Sequence, residues 1–532
     1  MLEEIRLQRL SRRGITGLIL FCILAYLLVF GILNFLGLPD LCNSDVYADM
    51  QYARRAWEQK SLFPQGWTFG NQLYIFASPV LAALFYGLTG SINMAMALAT
   101  ETMTLLILLS FFWMSGSFTK DRMVQLLLCL LLLASPMAPY GPYSIHSMLF
   151  FTQASFYACY LITAFLVFGD YLRVKKENKS RKISWAISLF LCFATGMQSL
   201  RQTAVMVLPI LSWEVLEMFC RLVRRKRLWS PVYSGRTLRA LSYAAANFTG
   251  ILVSHFLNIP QAAIYGQTTL VPPEQWLERL QAVLQALLEI TSLDYLLAGD
   301  YSRLLCGVIW FFITITIIAV GVMISRRKGS ISGLEISWLL CWISIAGTAL
   351  STVLLSITLR GIYLFMWFPL VAISGAIILE KLPALPKMAA VTLACLLSLA
   401  SLLYCYVPHV SAVFQGDPTD AEQLCQWAAS EGYAYVYGDY WGTAPQIAVY
   451  SDGTLEAGCW HTSENVFQVE LSNTPQDIYG TEENEKAIYV FTPEDEASGL
   501  RKAREQGVSL TKQSQFGIYS VYTSPVPLMH SF

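Results

Sequence analysis

The sequence predicts a polytopic α-helical membrane protein carrying a small extracytoplasmic α/β domain, and three observations lead there. Apolar residues make up 55% of the 532-residue chain and charged residues only 14%, against roughly a quarter charged in ordinary soluble domains. Several stretches of about twenty residues carry no charge, the length a helix needs to cross a bilayer. The net charge of zero hides an asymmetry: residues 410–532 hold seventeen acids against five bases, and the remainder holds the balancing Lys and Arg. Continuous apolar runs such as 105–112 and 126–133 argue for helices over a membrane barrel, whose strands alternate.

Taken in order, Arg6, Arg9, Arg12 and Arg13 precede the first apolar segment, 15–38, which places the N-terminus in the cytoplasm. No small-residue cleavage site follows that segment, so it reads as an uncleaved anchor. A polar first outer loop, 39–72, comes next. Further apolar segments lie near 73–90, 92–115, 123–138, 148–169, 183–200, 203–220, 240–258, 303–324, 333–357, 361–379 and 388–407. If all twelve crossed, the basic loops 173–182 and 221–239 would face outward, against the positive-inside rule. Holding 73–90 at the membrane surface returns every basic loop to the cytoplasm. That segment contains Pro79 and closes with Gly87 and Gly90, so it is expected to be a juxtamembrane or re-entrant helix. About eleven spans result, with the C-terminus outside.

The long outer loop 260–302 contains apolar residues at helical spacing (Trp276, Leu277, Leu280, Val283, Leu284, Leu287, Leu288), the pattern of a helix lying on the bilayer surface. The transmembrane domain therefore runs over 1–409 and a soluble domain over 410–532. In the latter, 421–430 and 494–506 read as helices and 434–437, 446–450, 487–491 and 516–522 as strands, a small α/β unit. Most of the twelve cysteines fall in apolar spans, as small hydrophobes. Cys425 and Cys459 share the terminal domain, and an oxidising compartment would let them pair. The Lys/Arg clusters adjoin spans, so nothing points to nucleic acid.

Chemistry concentrates in the first outer loop, Leu41-Cys42-Asn43-Ser44-Asp45-Val46-Tyr47-Ala48-Asp49-Met50-Gln51-Tyr52-Ala53-Arg54-Arg55. Asp45 and Asp49 lie one turn apart on one helix face, where a carboxylate can take a proton from a hydroxyl or amine. Ser44 or Asp45 as the N-cap of a helix starting at Val46 is the plainer reading. Arg201 and Arg360 sit at outer ends of spans, against the charge rule, and a cation at membrane depth needs a partner. Lipid phosphate is a suitable one, since guanidinium pairs with it bidentately; a snorkelling arginine or a structural pair is the alternative. His146 reads as an acid/base or as an ordinary polar loop residue. Trp67, Tyr74, Trp276 and Tyr363 fit an interfacial aromatic belt. Glu101 is an intramembrane acid that either acts or pairs with a neighbouring helix. The run Tyr437-Gly438-Asp439-Tyr440-Trp441-Gly442 follows a strand, as binding loops and plain turns both do.

An acid shortly after the first span, then Tyr47-x-x-x-x-Tyr52-Ala53-Arg54, then Leu62-Phe63-Pro64-Gln65-Gly66-Trp67, then Ser78-Pro79 opening an apolar helix, resembles the GT-C glycosyltransferases. These include the protein mannosyltransferases, the aminoarabinose transferases and their bacterial relatives. The resemblance implies that Asp45 is the catalytic base, with Asp49 the alternative. It implies that Arg201, Arg360, Tyr363 and His146 face the lipid-phosphate donor, and that Tyr47, Trp67 and Gln202 contact acceptor or sugar. Two departures matter: Val46, not a second acid, follows Asp45, and the second outer loop offers Tyr140, Tyr143 and His146 but no acid. A divalent cation wants several carboxylate oxygens, so no cofactor and metal-independent chemistry are expected.

The function implied is transfer of a sugar from a polyprenyl-phosphate donor to an extracytoplasmic acceptor in the cell envelope, by a multi-pass protein of the plasma membrane. A transporter or flippase of lipid-linked substrate is one rival. A glycan polymerase or ligase using the 260–302 loop is the other.

Overall fold

The computed structural model describes residues 2–532 apart from 71, 135–143, 152–153, 175–178, 224–230, 262–268, 292, 294–303, 327–330, 357–358, 462–464, 470–473, 476–477, 480–485, 529 and 531–532. Tyr140 and Tyr143 therefore lie outside the described residues. Seven described helices are long and apolar enough to cross a membrane, and three shorter apolar ones accompany them. One of the three is Ser78–Thr89. Its 12 residues extend about 18 Å, well short of a bilayer's hydrocarbon, and Pro79 at its start with left-handed Gly90 at its end sets those limits. It packs against the first-loop helix, Ser44–Glu58, where Gly87 leaves room for the Trp57 ring.

Helices Lys179–Gln198 and Pro231–Phe256 approach so closely that a Cβ on Gly196 would lie 2.1 Å from the Asn247 carbonyl oxygen, and one on Gly250 2.1 Å from that of Phe193. Small residues permit such crossings. Backbone carbonyls cannot swing aside, so Gly250→Ala is expected to destabilise the protein by about 1–3 kcal/mol, read as a lowered melting temperature in detergent. The same pair holds a buried ionic group, with Asp170 accepting from Ser184, Arg239 and Tyr243. Glu101 is paired as well, accepting from Asn34 on the first span at 3.2 Å.

Helix Trp276–Ile290 exposes Leu277, Leu280 and Leu284 in one stripe and buries Val283, Ala286 and Ile290. An apolar exposed face on a surface helix is the pattern of a helix that lies on a bilayer.

Among the described residues seven strands follow the chain: β1 (Trp67–Thr68), β2 (Tyr435–Asp439), β3 (Glu456–Trp460), β4 (Thr474–Pro475), β5 (Ala487–Phe491), β6 (Thr511–Phe516) and β7 (Tyr519–Thr523). The terminal sheet has order β3-β2-β5-β7-β6; β3, β2 and β5 run parallel, and β7 and β6 complete it antiparallel. Two strand expectations fail. Residues 446–450 are helical, because Pro445 starts Ala444–Ala448 and lacks the N–H a strand ladder needs. The 516–522 stretch is a hairpin, turned at Gly517 with φ +49°. Cys425 is a buried free thiol, so the bridge to Cys459 is not formed.

The terminal domain does not stand apart. Tyr47 and Tyr52 of the 39–72 loop, and Tyr74 just after it, share one core with Val436, Ile447 and Val490. β1 pairs with β4, Trp67 opposite Pro475. Arg54 bonds the Gly453 carbonyl at 2.8 Å and Glu456 at 3.2 Å.

Candidate active site

Asn43 caps the first-loop helix, its side chain accepting from the Val46 N–H at 3.0 Å. This corrects the expectation that Ser44 or Asp45 would cap, and it releases both for other contacts. Ser44 donates to the Tyr440 carbonyl, and Asp45 accepts from the Tyr440 hydroxyl at 3.3 Å. The carboxylate of Asp45 is half-buried, whereas Asp49, one turn on, is 0% exposed. Tyr74 faces these acids: burial first, then the Asp49 and Asp45 charges, push its phenol well above the ordinary tyrosine value. Tyr74 thus stays a proton donor toward carboxylates. Tyr440 belongs to the loop after β2, where Asp439 accepts from the Trp441 and Gly442 N–H groups at 2.9 and 2.8 Å. That brace leaves Trp441, set edge-on to Tyr440, 50% exposed.

The basic half of the site centres on Arg201. Its Nη1 donates to the Tyr157 hydroxyl at 3.2 Å, and its guanidinium lies 4.0 Å from the centre of the Tyr363 ring. Among the described residues no carboxylate bridges it. Five residues in π-helical register, Thr203–Val207, follow at once. Pro209, two residues on, removes a ladder donor, and such one-turn insertions re-aim side chains at functional sites. Tyr363 and Arg360 sit on one turn, whose Gly361 N–H donates to Glu289 at 2.7 Å. Helix Trp276–Ile290 therefore positions that turn, and Arg360 itself is exposed.

Residues 72–76 join the two halves. Leu73 N–H donates to the Gln198 carbonyl at 3.0 Å, and the Gln198 side chain accepts from Phe76 at 3.0 Å. Tyr160, beside Tyr157, donates to Gln72 at 2.7 Å. One short segment therefore carries Tyr74 to the acids and is tied three residues before Arg201.

Other predicted site residues are placed differently. Tyr47 is buried and bonds at 3.4 Å to the Leu455 carbonyl, and Trp67 is buried against Tyr52 and in the β1–β4 pair. Both fasten the loop to the terminal domain and present no face to a sugar, which corrects the acceptor assignment. Gln202 is fully buried and donates to Thr163, an internal helix contact. His146 has one ring nitrogen 2.7 Å from the Leu132 carbonyl and packs between Phe150 and Phe368. Its surroundings make it a packing residue, because an enclosed ring offers a ligand no surface. Tyr74, Tyr157, Gln198, Glu289 and Tyr440 were missed as contributors. The Tyr437–Gly442 run carried a signal for Tyr440, a polar loop directly after a strand, and Tyr74 stood out only as an interfacial aromatic.

The terminal domain holds one further titratable group of note. Asp495 accepts from the Thr492 N–H at 2.6 Å, is 0% exposed, and is pushed up to about 6 by burial. The folded state therefore binds this proton more tightly than the unfolded chain does. Its contribution is complete below about pH 4 and is lost as pH rises through about 6. Asp495→Asn is expected to stabilise the domain at pH 7.5 by up to about 3 kcal/mol and to have no effect at pH 4. Amide-exchange protection of β2 and β5 in the full chain checks this.

No protein-family model and no curated protein matches the sequence. Solved structures do match. A crystal structure of ArnT from Cupriavidus metallidurans bound to undecaprenyl phosphate superposes with TM-score 0.59 at 11% identity, over 95% of this chain and 98% of that one. The apo structure of the same protein gives TM-score 0.57 at 12% identity over the same shares. Likeness along nearly the whole of both chains, helices and terminal domain together, is likeness of fold: the chain is a multi-pass membrane protein with the GT-C fold of ArnT.

Proposed function

We propose that the protein is a membrane glycosyltransferase that moves a sugar from a polyprenyl-phosphate donor to an extracytoplasmic acceptor. The observation that carries this reading is the pairing of an accessible carboxylate, Asp45, with Arg201, an arginine ringed by tyrosines, through the 72–76 segment. The solved neighbour bound to undecaprenyl phosphate supports a lipid-phosphate ligand for the basic half.

In this mechanism the acceptor hydroxyl or amine gives its proton to Asp45 as it attacks the anomeric carbon. The bond from that carbon to the phosphate oxygen breaks, and its electron pair leaves with the lipid phosphate. Arg201 and Arg360 stabilise the charge that grows on the departing group. Tyr74 and Tyr440 orient the carboxylates, and Trp441 forms the outer wall. Among the described residues the acids meet phenols here and not a set of further carboxylates, a surrounding that favours a reaction without a resident metal. The end of the first span bearing Arg12 and Arg13 lies in the cytoplasm, and the terminal domain outside.

The test uses the full chain in nanodiscs with undecaprenyl-phosphate-linked sugars and an envelope extract as acceptor source. Release of undecaprenyl phosphate, insensitive to EDTA, is expected. A protein that neither binds undecaprenyl phosphate nor releases it from the donor would sink the proposal.

A further inference from the structure

At the end of helix Leu2–Leu36 opposite to Asp45, a cavity of about 690 Å³ opens between that helix and the start of helix Arg122–Ala134. Arg12, Arg13, Lys120 and Arg122 line it, with Asp121 as its one acid. The acid is already engaged, since Arg12 bridges to Asp121 at 2.5 Å. That bridge ties the loop to the first span and holds the remaining cations around the cavity. Arg13, Lys120 and Arg122 are exposed, and among the described residues no carboxylate pairs with them. Arg122 is steadied over the Phe112 ring at 5.3 Å.

The apolar span begins at Arg12, so these cations stand at the boundary between membrane and water. Leu20, two turns further in, lines the same cavity and is exposed. A ligand that fits carries negative charge at one end and a hydrocarbon chain at the other. Basic pockets between helices on the cytoplasmic side suit anionic headgroups, and the guanidinium fork suits phosphate.

We propose that this cavity is a binding site for the phosphate headgroup of an anionic membrane phospholipid, with an acyl chain lying along Leu20. The site is separate from the Asp45–Arg201 region and does not depend on the transferase reading. By clamping the first span to the Arg122–Ala134 helix, the lipid would hold the base of the span whose far end leads into the catalytic loop.

For the test, the full chain is reconstituted with equal phosphatidylglycerol and phosphatidylcholine, and retained lipid is read by native mass spectrometry. Phosphatidylglycerol should be retained over phosphatidylcholine by roughly a hundredfold, and each charge removed should lower that ratio roughly fivefold. The triple variant Arg13→Gln, Lys120→Gln, Arg122→Gln should bring it to parity, whereas Lys381→Gln with Lys387→Gln should leave it unchanged. Equal melting temperatures of wild type and triple variant in pure phosphatidylcholine establish that the variant is folded; if it is not, Arg13→Gln alone is measured. Parity in the wild type, or full preference in the folded variant, overturns the proposal. So does millimolar inorganic phosphate raising the melting temperature in phosphatidylcholine as far as phosphatidylglycerol does, since that marks a free-phosphate site.

Discussion

Asp45→Asn is expected to lower the turnover number by roughly 10²–10⁴-fold, the range lost with a general base, while undecaprenyl phosphate still binds. Asparagine keeps the shape of the side chain and still accepts from Tyr440, whose hydroxyl meets Asp45 at 3.3 Å. Only the capacity to take a proton is removed. The measurement is single-turnover release of undecaprenyl phosphate from the sugar-linked donor, beside direct binding of the lipid. Asp49→Asn gives the contrast, because Asp49 is fully enclosed and cannot meet an acceptor without the Tyr74 segment moving. If Asp45→Asn turns over normally and Asp49→Asn does not, the catalytic assignment moves one helical turn. If neither affects turnover, the transferase mechanism fails at its base and a transport reading gains.

For Arg201→Met the largest change falls on binding: undecaprenyl phosphate affinity should drop roughly 10- to 100-fold, as expected when a hydrogen bond to a charged group is removed. Stability should hold or rise. No described carboxylate bridges Arg201, so its removal strands no buried anion, and an apolar side chain among Tyr157 and Tyr363 relieves the desolvation of a cation. A residue kept for structure would show the reverse, with lower melting temperature and unchanged affinity. Arg201→Lys should not restore binding, because an ammonium lacks the planar fork that donates in two directions and lies over the Tyr363 ring. Thermal unfolding with and without undecaprenyl phosphate separates these outcomes.

Much of the architecture was legible from local rules. Span positions followed from uncharged stretches set against bilayer thickness. The short Ser78–Thr89 helix was legible from its Pro and Gly residues, which limit its length. Asp45 and Arg201 stood out for related reasons: one is an acid directly after a span, the other a cation at a span end that the charge rule expects outside. Both signals depend only on a residue and its neighbours in the chain. The strand misread at 446–450 is a local failure of the same kind, since Pro445 was the available warning.

What the chain could not disclose by itself is which aromatic and amide groups complete the site. Tyr47 and Trp67 looked available for a sugar because an outer loop is ordinarily wet, yet the terminal domain covers both. Gln202 and His146 looked polar and outward, yet each turns into helix packing. Conversely, Tyr440 comes from almost four hundred residues away to reach Asp45, and Gln198 fixes the 72–76 segment through backbone bonds that no spacing rule anticipates. The solvent of each segment, and therefore the fold class and the two charged ends of the proposed site, is a property of nearby sequence. The partner of each side chain is a property of how distant segments share one core, and only the tertiary structure decides that. The expected eleven crossings and separate terminal domain thus become a GT-C fold in which that domain forms one wall of the candidate active site.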